Sequence, residues 1–211
     1  MLRAALFDLD GVVLDTEGQY TGFWKEQGLL YYPDIKDFAQ RIKGMTLTQV
    51  FEQYFATDTQ AQKQIVDALN AFEADMHYEY ISGFERFVTG LREQDVLTAV
   101  VTSSNLQKMS NVYRSRPELK NHFDAILTSE DFRRSKPDPD CYLEAARRFG
   151  LRPDECMGFE DSINGLRALR SAPMFTVALA TTNPRDVVSK YADLVIDDFT
   201  QTSPEQALEL I

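Results

Sequence analysis

Short, nearly continuous apolar runs punctuate this chain: Ala4–Leu9, Val96–Thr102, Ala125–Thr128, Cys156–Phe159, Phe175–Leu179 and Leu194–Ile196. Runs of Val, Ile, Leu, Phe and Ala without polar alternation suit strands covered on both faces, the condition of a parallel sheet. Amphipathic segments lie between them. Tyr142, Leu143, Ala146 and Phe149 follow helical spacing, as do Ile163, Leu166 and Leu169. Alternation of strand and helix predicts an α/β fold.

Residues 17–80 break this rhythm and show no strand pattern. Ile65, Leu69, Phe72 and Met76 follow a four, three, four spacing, the apolar stripe of one helix. Val50, Phe51, Tyr54 and Phe55 mark another, and Thr46 with Gln49 fits a capping box at its start. About 60 residues therefore separate the first strand from the second, where an ordinary crossover needs roughly a dozen. The economical reading is a helical insertion after the first strand, with a core of residues 1–15 and 81–211 and a small all-helical cap of residues 16–80.

The composition is that of a globular protein, 44% hydrophobic and 26% charged, which disfavours wholesale disorder. Lys and Arg number 22 against 33 Asp and Glu, giving a formal net charge of −11. Nucleic acids and anionic membranes are bound through basic patches, so neither is an expected partner. No run approaches the ~18 apolar residues of a spanning helix. The apolar stretch from Leu2 is broken by Asp8 and Asp10, unlike the apolar region of a signal peptide. Cys141 and Cys156 form no Cys-x-x-Cys pair and are too few for a disulfide framework, which fits a reducing cytoplasm.

Chemistry-bearing residues cluster at the ends of the apolar runs. The first run leads into Asp8-Leu9-Asp10-Gly11, two carboxylates and a turn signal where ligands sit in open α/β sheets. Paired carboxylates repel, so a divalent cation is a natural neutraliser, and one of them can act as a nucleophile. The second run ends in Thr102-Ser103-Ser104-Asn105, hydroxyls and amides before a helix, which suit an anion. Lys136 sits between Arg134-Ser135 and Pro137-Asp138-Pro139, a stiff loop carrying one cation toward such a site. The fourth run ends in Glu160-Asp161-Ser162, which supplies hard oxygen ligands of the kind Mg²⁺ takes. Each string alone has an ordinary reading as a turn, a helix cap or a solvated surface. Together they place Asp/Asp, Thr/Ser, Lys and Glu/Asp at four strand ends.

That combination resembles the haloacid dehalogenase superfamily, in its branch of β-phosphoglucomutase and small sugar-phosphate phosphatases. The resemblance spans nearly the whole chain and includes Asp15-Thr16-Glu17 and the stretch Ala178 to Arg185. It implies a Rossmann-like parallel sheet core with helices on both faces and a cap that closes over it. It also implies Mg²⁺-dependent phosphatase chemistry on a small phosphorylated metabolite, a sugar or polyol phosphate. By the resemblance, Asp8 is the nucleophile and a metal ligand, and Asp10 is the general acid and base, its main-chain carbonyl reaching the metal. Thr102 and Ser103 bind the phosphoryl group, Lys136 steadies its charge, and Asp161 with Glu160 holds the metal. A monomer is expected. His77 and His122 lie outside these strings and are given no catalytic role.

Two rivals stand beside this reading. One is a phospho-acceptor module of the bacterial receiver kind, which uses similar residues in a chain about half as long. The Asp8–Asp10 pair and the helical insertion argue against it. The other is a phosphohexomutase. In such mutases a cap histidine follows Asp-Thr by a few residues and a cap arginine follows a Gly-x-x; here Tyr20 and Leu47 stand at those places. Neither grips a phosphate dianion, which favours hydrolysis. Lys25 and Lys43 read as solvated surface.

Overall fold

The computed structural model describes residues 1–210. In chain order it runs β1 (Ala4–Phe7), then helices α1 (Glu17–Tyr31), α2 (Phe38–Arg41), α3 (Leu47–Tyr54), α4 (Thr59–Asp75) and α5 (Phe84–Arg92). There follow β2 (Leu97–Val101), α6 (Leu106–Ser115), β3 (Ala125–Leu127), α7 (Asp140–Arg148), β4 (Cys156–Glu160) and α8 (Ile163–Ser171). The chain ends with β5 (Phe175–Leu179), α9 (Arg185–Val188), β6 (Leu194–Ile196) and α10 (Pro204–Leu208). Each apolar run of the sequence is a strand, its bounds shifted by at most two residues at either end.

The six strands form one parallel sheet in the order β3-β2-β1-β4-β5-β6. Order reverses beside β1, the point where open α/β sheets part their loops and bind ligands. Side chains alternate across the sheet. Ala4 and Leu6 of β1, Ala99 and Val101 of β2 and Cys156 of β4 face one way, against Cys141, Tyr142 and Ala145 of α7 and Ala168 and Leu169 of α8. Phe7 and Phe159 face the other way and stack at 4.6 Å between ring centroids. Phe84 and Phe87 of α5 and Phe199 close round that pair. His122 belongs to this aromatic layer, edge-on to Tyr80 and Phe84.

The chain divides into two compact units, Met1–Asp15 with Tyr78–Ile211, and Thr16–His77. Residues 78–80, expected to close the insertion, group with the sheet. The reason is backbone pairing: Asp15 N–H donates to Glu79 O, Ile81 N–H donates to Val13 O, and Leu14 bridges Tyr80. Helices α1 to α4 make up the second unit. Thr46 and Gln49 form the expected capping box on α3, and the Asp58 carboxylate caps α4 by accepting from Ala61 N–H. Phe38, Ile42, Val50, Phe55, Ala61 and Ile65 are its buried centre. Of the expected α4 stripe, Met76 lies just past the helix, in extended backbone. Among the described residues no helix is long and apolar enough to cross a membrane.

Gly158 shows how tightly the sheet is covered. A Cβ built there would stand 2.0 Å from Leu169 Cδ2, so the missing side chain is what lets α8 lie against β4. Gly158→Ala should therefore destabilise the protein by about 1–3 kcal/mol, the usual cost of overpacking a dense core. Urea unfolding measures it, and Leu169→Ala in the same chain should recover part of the loss.

Candidate active site

The loop after β1 is shaped by its own backbone. Asp8 N–H continues the ladder to Phe159 O at 3.0 Å, so Asp8 is held as rigidly as a strand residue. The chain then doubles back: Gly11 N–H donates to Leu14 O at 2.7 Å, while Val13 and Leu14 both donate to Leu9 O. Gly11 has φ +80°, in the left-handed region that a side chain disfavours. A Cβ there would also stand 2.2 Å from Asp161 Oδ2, so the glycine lets the first and fourth loops touch.

Lys136 is the hub. Its position on a loop just ahead of Pro137 and Pro139 is compatible with a solvated lysine, yet the residue is only 5% exposed. The loop is folded by Asp140, whose Oδ2 accepts from Arg133 N–H at 2.7 Å and Arg134 N–H at 3.0 Å. Lys136 Nζ then donates to Asp8 Oδ1 at 2.5 Å, Glu160 Oε1 at 2.6 Å and Val101 O at 3.1 Å. Three donors meet three acceptors, which is what burying an ammonium requires. The two carboxylates hold its pKa well above the usual lysine value, against the desolvation that opposes it.

Glu160 is saturated. Besides Lys136, its Oε1 accepts from the Tyr142 hydroxyl at 2.9 Å. Its Oε2 accepts from Asp161 N–H, Ser162 N–H and Ser162 Oγ, each at 3.1 Å. Gly165 makes room for it, since a Cβ there would meet Oε1 at 1.8 Å. Ser162 Oγ in turn caps α8 by accepting from Gly165 N–H. The sequence places Glu160 beside Asp161 as a metal ligand. The structure does place it in the acid cluster, where oxygens of Asp8, Glu160 and Asp161 lie within 4.8 Å of one another. Its lone pairs are spent on Lys136, Tyr142 and the start of α8, however, so Asp8 and Asp161 are the carboxylates suited to a cation.

Asp10 is turned to another partner. Its Oδ2 accepts from Lys108 Nζ at 2.5 Å and from Ser104 Oγ at 3.2 Å, and its carboxylate is not part of the acid cluster. Lys108, on the first turn of α6, is buried and was not singled out by the sequence reading. A lysine on an amphipathic helix carries no local signal of an inward partner, so only the fold reveals it. Thr102 is buried after β2, with Thr102 N–H on Leu127 O and its Oγ1 accepting from Ser104 N–H at 3.0 Å. Ser103 lies exposed beside it.

The site carries more negative than positive charge. Among the described residues, Asp8, Asp10, Glu160 and Asp161 bring four carboxylates together, and Lys108 and Lys136 bring two ammonium groups against them. The imbalance falls on Asp8. Burial pushes its carboxyl up to about 8, Lys136 pulls against it, and Glu160 and Asp10 push the same way as burial. A divalent cation between Asp8 and Asp161 would supply the two missing charges. The donor set, two carboxylates, is the hard oxygen chemistry Mg²⁺ takes.

Comparison with known proteins meets this geometry. The model of the haloacid dehalogenase-like hydrolases matches residues 2–173. Hexitol phosphatase B of Escherichia coli (strain K12) is 26% identical, across 98% of this chain and 97% of its own. The β-phosphoglucomutase of Bacillus subtilis (strain 168) is 27% identical, across 100% and 94%. The solved structure of a HAD hydrolase, family IA, variant 3, from Entamoeba histolytica HM-1:IMSS shares the fold at TM-score 0.86 and 22% identity, covering 99% of both chains. With the family model matched over residues 2–173, most of the chain, the chain belongs to the haloacid dehalogenase-like hydrolases.

Proposed function

We propose that this hydrolase is a Mg²⁺-dependent phosphatase of a small phosphorylated metabolite, a sugar or polyol phosphate, working through an aspartyl-phosphate on Asp8. The observation that carries the reading is the buried Lys136 bridging Asp8 and Glu160, with Asp161 alongside. Phosphoryl transfer asks chiefly for alignment and charge neutralisation. Asp8, fixed by the ladder to β4, gives alignment; Lys136 gives one positive charge. Mg²⁺, held by Asp8, Asp161 and the Asp10 carbonyl, would supply further positive charge against the phosphoryl oxygens.

On this reading a carboxylate oxygen of Asp8 bonds to phosphorus as the bond to the substrate oxygen breaks, and Asp10 gives that oxygen its proton. Asp10 then takes a proton from water as the water oxygen bonds to phosphorus. The bond from Asp8 to phosphorus breaks, and inorganic phosphate leaves. On the same reading Thr102 and Ser103 are assigned the hydroxyl and the amide that bind the phosphoryl group.

Two observations support hydrolysis over a mutase. The Tyr20 hydroxyl donates to Glu73 Oε1 at 2.8 Å within the helical unit, and Leu47 packs on that unit's apolar centre. Neither offers a cation to a second phosphate. The likeness to a hexitol phosphatase supports a sugar or polyol phosphate as substrate. The two free, buried cysteines fit a reducing compartment such as the cytoplasm.

Phosphate release from a panel of sugar and polyol phosphates should appear with Mg²⁺ and vanish with EDTA. Asp8→Asn should lower turnover at least about 10⁴-fold, as loss of a nucleophile does. Release that survives in Asp8→Asn would overturn the role of Asp8. Glucose 1-phosphate isomerised with a bisphosphate primer, without release, would establish the mutase instead.

Asp10→Asn should slow decay of the phosphoenzyme by about 10²–10⁴-fold, the usual size of acid–base assistance. Quenched-flow trapping of acid-stable phosphate on the protein reads this directly, and equal decay in both proteins would sink the assignment.

Lys136→Met leaves Asp8 and Glu160 buried without their ammonium. It should cost about 3–5 kcal/mol of folding stability, since an unpaired buried charge is the expensive outcome. Chemical denaturation of the metal-free protein checks this independently of activity.

A further inference from the structure

The stretch after β5, Ala180-Thr181-Thr182-Asn183-Pro184, stands out in the sequence, yet none of the steps above uses it. Its place in the fold is unusual. β4 lies between β1 and β5, so a side chain from the β5 loop that touches the β1 loop must pass over the end of β4. Two strand spacings of about 4.8 Å have to be crossed.

Two hydrogen bonds do so. Thr181 Oγ1 donates to Gly11 O at 2.6 Å, one residue past Asp10. Asn183 Nδ2 donates to Asp161 O at 3.0 Å. Between them, Thr182 Oγ1 packs on Gly11, where a Cβ would stand 2.9 Å from that oxygen and 2.2 Å from Asp161 Oδ2. One short loop thus grips both the first acid loop and the fourth by their main-chain carbonyls. Each bond leaves the carboxylates themselves untouched.

We propose that Thr181 and Asn183 are positioning residues that fix the spacing of the Asp8–Asp10 loop and Asp161, and thereby set the affinity of this pair of loops for Mg²⁺. The physical basis is preorganisation. Asp8 and Asp161 repel, and the backbone bonds of the Gly11 turn run within that turn, so they do not fix its distance from Asp161. A strap on both carbonyls meets the ordering cost in the folding of the chain rather than at metal binding. The proposal rests on the metal-dependent reading above.

The test is calorimetric titration of the metal-free full chain with MgCl2, with the Mg²⁺-induced rise in melting temperature as a second readout. Thr181→Val keeps the shape of the side chain and deletes only the hydroxyl; Asn183→Ala deletes the amide. Each should weaken Mg²⁺ binding, and together by about 10–100-fold, the usual effect of losing partners that orient metal ligands. Thr181→Ser, which keeps the hydroxyl, should bind as the wild type does. Excess Mg²⁺ should restore turnover in Thr181→Val, which a general loss of structure would not allow. If Asn183→Ala fails to fold, Thr181→Val and Thr181→Ser carry the comparison. Wild-type affinity in the folded Thr181→Val protein overturns the strap alone. A wild-type chain with no response to Mg²⁺ overturns the metal-dependent reading and the strap with it.

Discussion

Everything at this site depends on one buried ammonium. Lys136 is dehydrated, and that is tolerable only because Asp8, Glu160 and the Val101 carbonyl accept its three hydrogen bonds. The requirement propagates outward. Glu160 must be placed to meet Lys136, so Gly165 has no side chain and Tyr142 points its hydroxyl inward. The loop carrying Lys136 must be rigid, so Asp140 ties it to the start of α7. These residues come from four separate stretches of the chain, and the parallel sheet brings them to one end.

The sheet order explains why the other parts arrive there too. β1 is central, with β2 on one side and β4 on the other. Parallel strands put all their C-terminal ends on one edge, so the loops after β1, β2, β4 and β5 crowd together. The β1 loop brings Asp8 and Asp10, the β2 loop brings Thr102 and Ser104, the β4 loop brings Asp161, and the β5 loop binds the first and third of these through Thr181 and Asn183. The apolar faces behind them, α7 and α8 on one side and the Phe7–Phe159 layer on the other, hold the strand ends still.

Charge balance then separates the acids into distinct tasks. Glu160 is fully hydrogen-bonded and neutralises Lys136. Asp10 is engaged by Lys108 and Ser104, away from the acid cluster. Asp8 and Asp161 carry the remaining negative charge, and burial strains Asp8 toward its protonated form. Carboxylates that look equivalent in a sequence therefore differ by environment, and on the proposed reading one attacks, one moves protons, one braces the lysine and one holds metal.

Much of this was legible in the sequence. Continuous apolar runs mark the six strands, because a strand buried on both faces admits no polar alternation. The helical spacing and the Thr46–Gln49 box mark α3 and α4, because capping and periodicity are local. Asp8, Asp10, Thr102, Lys136, Glu160 and Asp161 stand out in the sequence as chemistry-bearing types after the apolar runs, because residue type and spacing are local. Only the tertiary structure decided how they divide the work. Lys108 reaches Asp10 from another element, Glu160 spends both oxygens on neighbours, residues 78–80 join the sheet through backbone pairing, and Thr181 crosses β4 to reach Gly11. Hydrogen-bond partners distant in sequence are chosen by packing in three dimensions, and no local pattern of residues encodes which oxygen is still available.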